Sequence, residues 1–294
     1  MTTKLMAVHS GSSHADEKFA VVSLRRIFNI KYVRTRDPRV IAQADIVADV
    51  GDVYDPTTMR FDHHQAGRPV RDNGIIYCSF GQIWLEYGAQ ICGGSQEVAD
   101  RVDQHLVMPI DADDNGQALY KKTDFGINPL TVSEALFRFN PTWLEGPEVE
   151  DQNFERSLVV ADEILERTIA RQKAVVFSRE PVREAIAQQG SDPLILVLTK
   201  PYAWFDTVIN ETSNTAYVVF PSDDGVWHVR CVPIDPALFE VRRPLPKEWG
   251  GLNGDALIAA SKVPDAIYCH HKLFIAGARS LEGAKLLAQY AILS

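Results

Sequence analysis

The residues Phe61-Asp62-His63-His64-Gln65 set one carboxylate and two imidazoles side by side, just after a segment that reads as a buried strand. Side chains of this kind are seldom buried without a partner, and together they make a ready ligand set for a divalent cation. Three further clusters accompany them. His9, His14 and Asp16 lie in the run after Leu5-Met6-Ala7-Val8, Asp49 closes the run Asp45–Gly51, and Asp111 and Asp114 fall in an acidic stretch ending at Gly116. The candidate ligands are therefore His9, His14, Asp16, Asp49, Asp62, His63, His64, Asp111 and Asp114. That set is too rich for one tetrahedral zinc, and it suits two divalent ions sharing a bridging Asp. Such a pair activates a water and clamps the leaving oxygen in phosphoryl transfer. Hard carboxylates mixed with imidazoles suit manganese, with magnesium or zinc as the alternatives.

These clusters can meet only if strands carry them to one edge. Leu5–Val8 reads as a buried strand, followed by a polar turn and a helix marked by Ala20, Leu24 and Ile27. In an open α/β sheet, that strand-to-helix turn is where ligands bind. Lys31–Thr35 and Asp45–Gly51 read as further strands. Gly74–Ile91 reads as a helix, from Ile76, Phe80, Ile83, Trp84 and Tyr87, and a second helix carries Val98, Val102 and Leu106. Pro109–Gly116 is expected to be a loop, either solvated or holding a cation. The longest helical pattern, from Asp151 to about Phe177, reads as a connector and could support a homodimer. Beyond it lie a strand at Leu194–Leu198, a hairpin pairing Tyr217–Phe220 with Val226–Arg230, strands at Ala266–His271 and Leu273–Arg279, and a closing helix capped by Ser280. The expected architecture is α/β, with a catalytic parallel-sheet domain over 1–150, a connector over 151–190 and a smaller α/β substrate-binding or lid domain over 191–294.

Composition narrows the function. Hydrophobic residues make up 46% of the 294 and charged residues 23%, enough for a full core and against disorder. A net charge of −9 disfavours broad duplex binding but leaves room for a local phosphate site. Cys78, Cys92, Cys231 and Cys269 form no CxxC pair and read as free core thiols of a reducing compartment. With no bilayer-length apolar run and no signal-peptide pattern, the expectation is a soluble, cytoplasmic protein without membrane partners.

Six ordered blocks carry a resemblance. They are His9–Glu17, Ala48–Pro56, Phe61–Gln65, Ile110–Gly116, Arg242-Arg243-Pro244-Leu245-Pro246-Lys-Glu-Trp249 and Phe274–Arg279. Through them the chain resembles the melanocyte-proliferating-gene family, often labelled metal-dependent protein hydrolase, of the DHH phosphoesterase superfamily. The resemblance implies a DHH-phosphoesterase-like fold with two divalent cations, one on His9, His14 and Asp49 and the other on Asp16, Asp49, His63 and an acid from Asp111–Asp114. It implies that Asp49 bridges, that His64 faces the substrate phosphate, and that Asp62 orients a histidine from behind. The Gly-Gly-Gly-His signature of the usual partner domain is absent, so Arg242, Arg243, His270 and Arg279 are the candidates for substrate contacts, with Arg279 stabilising charge during the reaction. The implied activity is that of a 3′–5′ exonuclease or phosphodiesterase on RNA or short oligonucleotides. The alternatives are a metal-dependent amide hydrolase and a metal-binding protein without turnover.

Overall fold

A computed structural model describes residues 2–121, 125–235 and 240–294. The chain divides into two compact units, Met1–Lys173 and Ala174–Ser294.

The first unit is built on a five-stranded sheet. Its strands are β1 (Lys4–Val8), β2 (Ile30–Arg34), β3 (Ile46–Ala48), β4 (Tyr54–Asp55) and β5 (Arg60–Phe61), in the order β2-β1-β3-β5-β4. The β1–β2, β1–β3 and β3–β5 pairs are parallel, and β4 returns antiparallel against β5. Helix α1 (Ala15–Arg25) follows β1 as the apolar spacing requires, and α2 (Pro38–Gln43) precedes β3. Helices α3 (Ser79–Ile91), α4 (Gln96–Val102), α5 (Met108–Asp114) and α6 (Val132–Phe137) complete the unit, with α7 (Glu150–Gln188) running across the division into the second. The core is apolar and aromatic: Phe19 stacks on Phe80 at 5.1 Å and Phe80 meets Trp84 edge-on at 5.8 Å. Burial of each such ring contributes about 1.5–3 kcal/mol.

Three expectations are corrected here. Helix α3 begins at Ser79, five residues later than the pattern suggested, because Gly74 sits at φ +85° in a turn closed by a Val70–Ile76 bridge. The third strand stops at Ala48, since Asp49 has a left-handed backbone (φ 58°). The acidic stretch after Pro109 is a helix, not a loop. A π turn over Asp103–Val107 leads directly into α5, Leu106 and Ile110 are buried, and Gly116 at φ +68° follows its end.

The second unit holds a sheet in the order β6-β7-β8-β10-β9, from β6 (Ile195–Val197), β7 (Tyr217–Pro221), β8 (Trp227–Cys231), β9 (Ala266–Cys269) and β10 (Ile275–Ala278). The expected hairpin is β7–β8, with Val219 opposite Val229. Only β6–β7 is parallel; the other pairs are antiparallel. The two last strands are shorter than expected because residues 270–274 make their turn, with Leu273 at φ 62°. One sheet face packs on α9 (Gly254–Ser261) and α10 (Leu281–Leu293), the latter capped by Ser280 as expected. Helix α8 (Phe205–Glu211) and the end of α7 pack on the β6–β7 part of the other face. All four cysteines are buried and free. Among the described residues no helix is long and apolar enough to cross a membrane.

Candidate metal centre

The C-terminal ends of three strands meet. β1 delivers His9, β3 delivers Asp49, and β5 delivers Asp62, His63 and His64, while α5 ends at Asp114 and α1 carries Asp16 and Glu17. His9 Nε2 lies 3.2 Å from Asp49 Oδ2, and His63 Nε2 lies 3.3 Å from Asp49 Oδ1. Asp49 thus offers one oxygen to each of two imidazoles, and its left-handed backbone is a conformation that Asp tolerates at functional sites. His63 Nε2 is also 3.3 Å from Asp114 and 3.6 Å from Asp16.

Burial makes this constellation costly for protein alone. Asp16 and Glu17 are fully inaccessible and Asp49 nearly so. Burial, with the Asp49 and Asp114 charges beside it, holds the Asp16 carboxyl well above the usual carboxylate range. Burial and then Asp49 push Asp114 up to about 7. Burial alone would lower His9 and His63, but the carboxylates facing them prevail and raise them to about 10 and about 9. Asp49 moves the other way: burial opposes ionisation, and the bonds from His63 and His9 overcome it. His63 Nδ1 is buried with no hydrogen-bond partner among the described residues. The donor set fits divalent cations. His9, His14, Glu17 and Asp49 present ligand atoms within 4.8 Å of one another, as do Asp49, His63 and His64, and Asp16, Cys78 and Asp114.

Around this centre, Asp62 collects four donors. Its carboxylate accepts from the backbone N–H of Asp52 (2.7 Å), His63 (2.7 Å) and His64 (3.1 Å), and from His64 Nδ1 (2.6 Å). His64 is thereby fixed with its ring over the cleft, its pKa raised by the Asp62 bond. Asp16 accepts the backbone N–H groups of Ser79 and Phe80, so it also caps the first turn of α3. A cleft of about 650 Å³ opens from these residues, with His14, His64, Arg36, Arg68, Tyr120 and Phe137 among its walls. His14 stacks on Phe137 with ring centroids 6.0 Å apart.

Sequence reasoning separated some candidates poorly. Asp111 lies one turn before Asp114, but its carboxylate binds Arg71 Nε (2.8 Å) and Nη2 (2.6 Å) and the Cys78 N–H (3.0 Å). Among the acids of α5 it is Asp114 that faces His63. In the second unit, Arg242 donates to the carbonyls of Ile209, Thr212 and Thr215 and to the Thr212 hydroxyl. Arg243 donates to the Ile292 carbonyl. Arg279 is exposed at the end of β10, and His270 stands in the β9–β10 turn beside Phe274. Glu17 went unselected, although it lies 3.2 Å from His9 Nε2. Its position three residues after the helix cap His14, whose N–H it accepts, was a readable signal. Arg36, 3.2 Å from His9 Nδ1, and Arg68, on the His63 carbonyl, were also missed.

A model of the MYG1_exonuc family, described as Uncharacterised protein family (UPF0160), matches residues 5–292. The chain belongs to this family. It is 32% identical to the human MYG1 exonuclease over 98% of this chain and 86% of that protein. It is 34% identical to the MYG1 protein of Chlamydia trachomatis over 92% of this chain and 90% of that one. These matches bear out the expected family and the expectation of a hydrolytic enzyme. Among solved structures, a pGpG-specific phosphodiesterase, PggH of Vibrio cholerae, aligns over 99% of both chains at 13% identity. The TM-score of that alignment is 0.31.

Proposed function

We propose that this protein is a DHH-type phosphoesterase using two divalent cations, manganese foremost, and acting as a 3′–5′ exonuclease or phosphodiesterase on RNA or short oligonucleotides. The observation that carries this reading is the convergence of Asp16, Asp49 and Asp114 with His9 and His63 at one strand edge, beneath an open cleft. His9, His14 and Asp49 would hold one cation, and Asp16, Asp49, His63 and Asp114 the other, with Asp49 shared. Asp111 is left out because Arg71 engages it. Bound there, the cations supply Lewis-acid polarisation of the phosphoryl oxygens and activation of the attacking water.

The chain's own residues do the rest. Asp62 fixes the His64 ring and favours its protonated form, which presents a donor to a phosphoryl oxygen in the cleft. Arg36 and Arg68 add positive charge along the same wall. The MYG1 exonuclease name of the relatives supports nucleic acid as substrate.

The test is a chelator-stripped protein given manganese and a short single-stranded RNA. Manganese-dependent release of mononucleotides from the 3′ end is expected, and Asp49→Ala should abolish both turnover and most metal binding. Near-normal activity in that variant would overturn the two-ion assignment.

A further inference from the structure

The sheet face opposite α9 and α10 carries an unusual row of side chains in the second unit. Along β8, Val229 and Cys231 point into the core on α9 and α10, so His228 and Arg230 project from the opposite face. The pairing register then runs Phe220 (β7), His228 (β8), Gly277 (β10) and Tyr268 (β9) across four strands. Gly277 is the gap in this row. A Cβ there would stand 2.6 Å from the Tyr268 ring. Without it, the ring reaches across β10 and its hydroxyl meets His228 Nδ1 at 3.1 Å. The next row sets Arg230 beside Ile275, with the Arg230 guanidinium 4.9 Å from the Phe205 ring and 5.2 Å from the Phe274 ring. His270 continues the strip, 4.6 Å from Phe274.

These groups are half-buried rather than core. Burial depresses both His228 and Arg230, consistent with rings packed around them. Arg230 has aromatic neighbours but no carboxylate partner among the described residues. Asp224, the acid whose charge reaches His228, already accepts the Ser222 hydroxyl and the Val226 N–H.

We propose that this strip is a binding platform for an unpaired stretch of nucleic acid, with bases stacked on Tyr268 and Phe274 and the backbone phosphates held by Arg230. The chemistry selects this occupant. A guanidinium with no carboxylate partner calls for a polyanion, and flat rings on a sheet call for flat π faces that recur along it. Sheets whose surface rings stack two or three bases are a recurring means of holding RNA. A duplex hides its base faces, so the platform takes single strands. The inference rests on the proposed function for its ligand class, but the platform belongs to the second unit alone.

The test uses the full-length chain and a fluorescein-labelled 12-nucleotide oligouridylate, with anisotropy read in EDTA so that nothing is cleaved. Tyr268→Leu, which keeps apolar bulk but removes the ring, and Arg230→Gln should each weaken binding about tenfold, as loss of one stacking or phosphate contact does. Tyr268→Phe should bind as the native chain does. A 12-base-pair duplex should bind more weakly than the single strand. Unchanged affinity in both Tyr268→Leu and Arg230→Gln would overturn the platform, as would an equal preference for duplex. Manganese-dependent cleavage of a dinucleotide by the native chain is measured separately. Cleavage with a platform-insensitive 12-mer refutes the platform and leaves the proposed function standing. Ring-dependent binding without any cleavage supports the platform and refutes the proposed function.

Discussion

Gly81→Ala gives a test in which two effects have opposite signs. In a helix, replacing Gly by Ala stabilises by up to about 1 kcal/mol. At this position the new Cβ would lie 2.2 Å from Asp111 Oδ1 and 2.5 Å from Oδ2. The carboxylate cannot yield cheaply, because it is fully buried and held by Arg71 and the Cys78 N–H. Displacing it breaks a buried ion pair, a loss of about 3–5 kcal/mol. Arg71 keeps Asp103 as a second partner, at 2.6 Å, which places the loss at the low end. The net expectation is destabilisation by about 2 kcal/mol, or a fall in Tm of roughly 4–8 °C for a domain of this size. Helix α5 carries Asp114 one turn beyond Asp111, so manganese affinity should fall as well. In an Asp111→Ala background the clash is gone, and adding Gly81→Ala should then stabilise by up to about 1 kcal/mol. Thermal melts of the four proteins decide the matter. A rise in Tm from Gly81→Ala in the native background would refute the packing argument.

Three other outcomes follow from the site. Glu17→Gln should weaken manganese binding about 10–100-fold, as loss of a group supporting a metal histidine does, measured by titration calorimetry; unchanged affinity would remove Glu17 from the centre. The Asp62–His64 pair should give a stability window in pH. Burial raises Asp62, but its bonds from His64 and the Asp52 N–H lower it overall, so its contribution is present above 3.8 and lost as pH falls; that of His64, raised by the Asp62 bond, is full below 6.5 and lost as pH rises through its folded pKa. The Tm difference between native protein and His64→Gln should therefore peak between those values, and a flat difference would count against the pair. Phe137→Ala at the cleft rim should raise KM for a short RNA by about fivefold to tenfold, more than it lowers kcat, if the ring stacks a base; a fall in kcat alone would place Phe137 elsewhere in the reaction.

Much of the first unit was legible because its signals are local. Apolar runs that end in His9 and Asp49 announce buried strands with titratable side chains at their C-terminal ends, and parallel pairing gathers such ends at one edge. What could not be read depends on distant partners. Asp111 and Asp114 share one helix, and what distinguishes them lies far off in the chain: Arg71 and the Cys78 N–H engage Asp111, while His63 faces Asp114. Arg242 has the charge of a phosphate ligand, yet the carbonyls of residues 209–215 engage it. The strip on β8 and β9 is not legible in the sequence, because strand alternation marks two faces but not which of them packs on α9 and α10. Tyr268 and Arg230 are ordinary strand residues until Gly277 is placed between His228 and Tyr268.

The gathering of strand ends also bears on how the chain reaches its folded state. The carboxylates and imidazoles come from positions 9, 16, 49, 63 and 114, brought together by parallel pairings and the end of α5. Parallel, non-local pairings cost loop-closure entropy before their contacts reward it, so a late assembly of this edge is the expectation. A cation then has no complete site to bind until the barrier has been crossed. On the proposed two-ion assignment, manganese should leave the refolding limb of a denaturant chevron almost unmoved and slow the unfolding limb, the behaviour of a lock on the finished unit rather than of a template for its assembly.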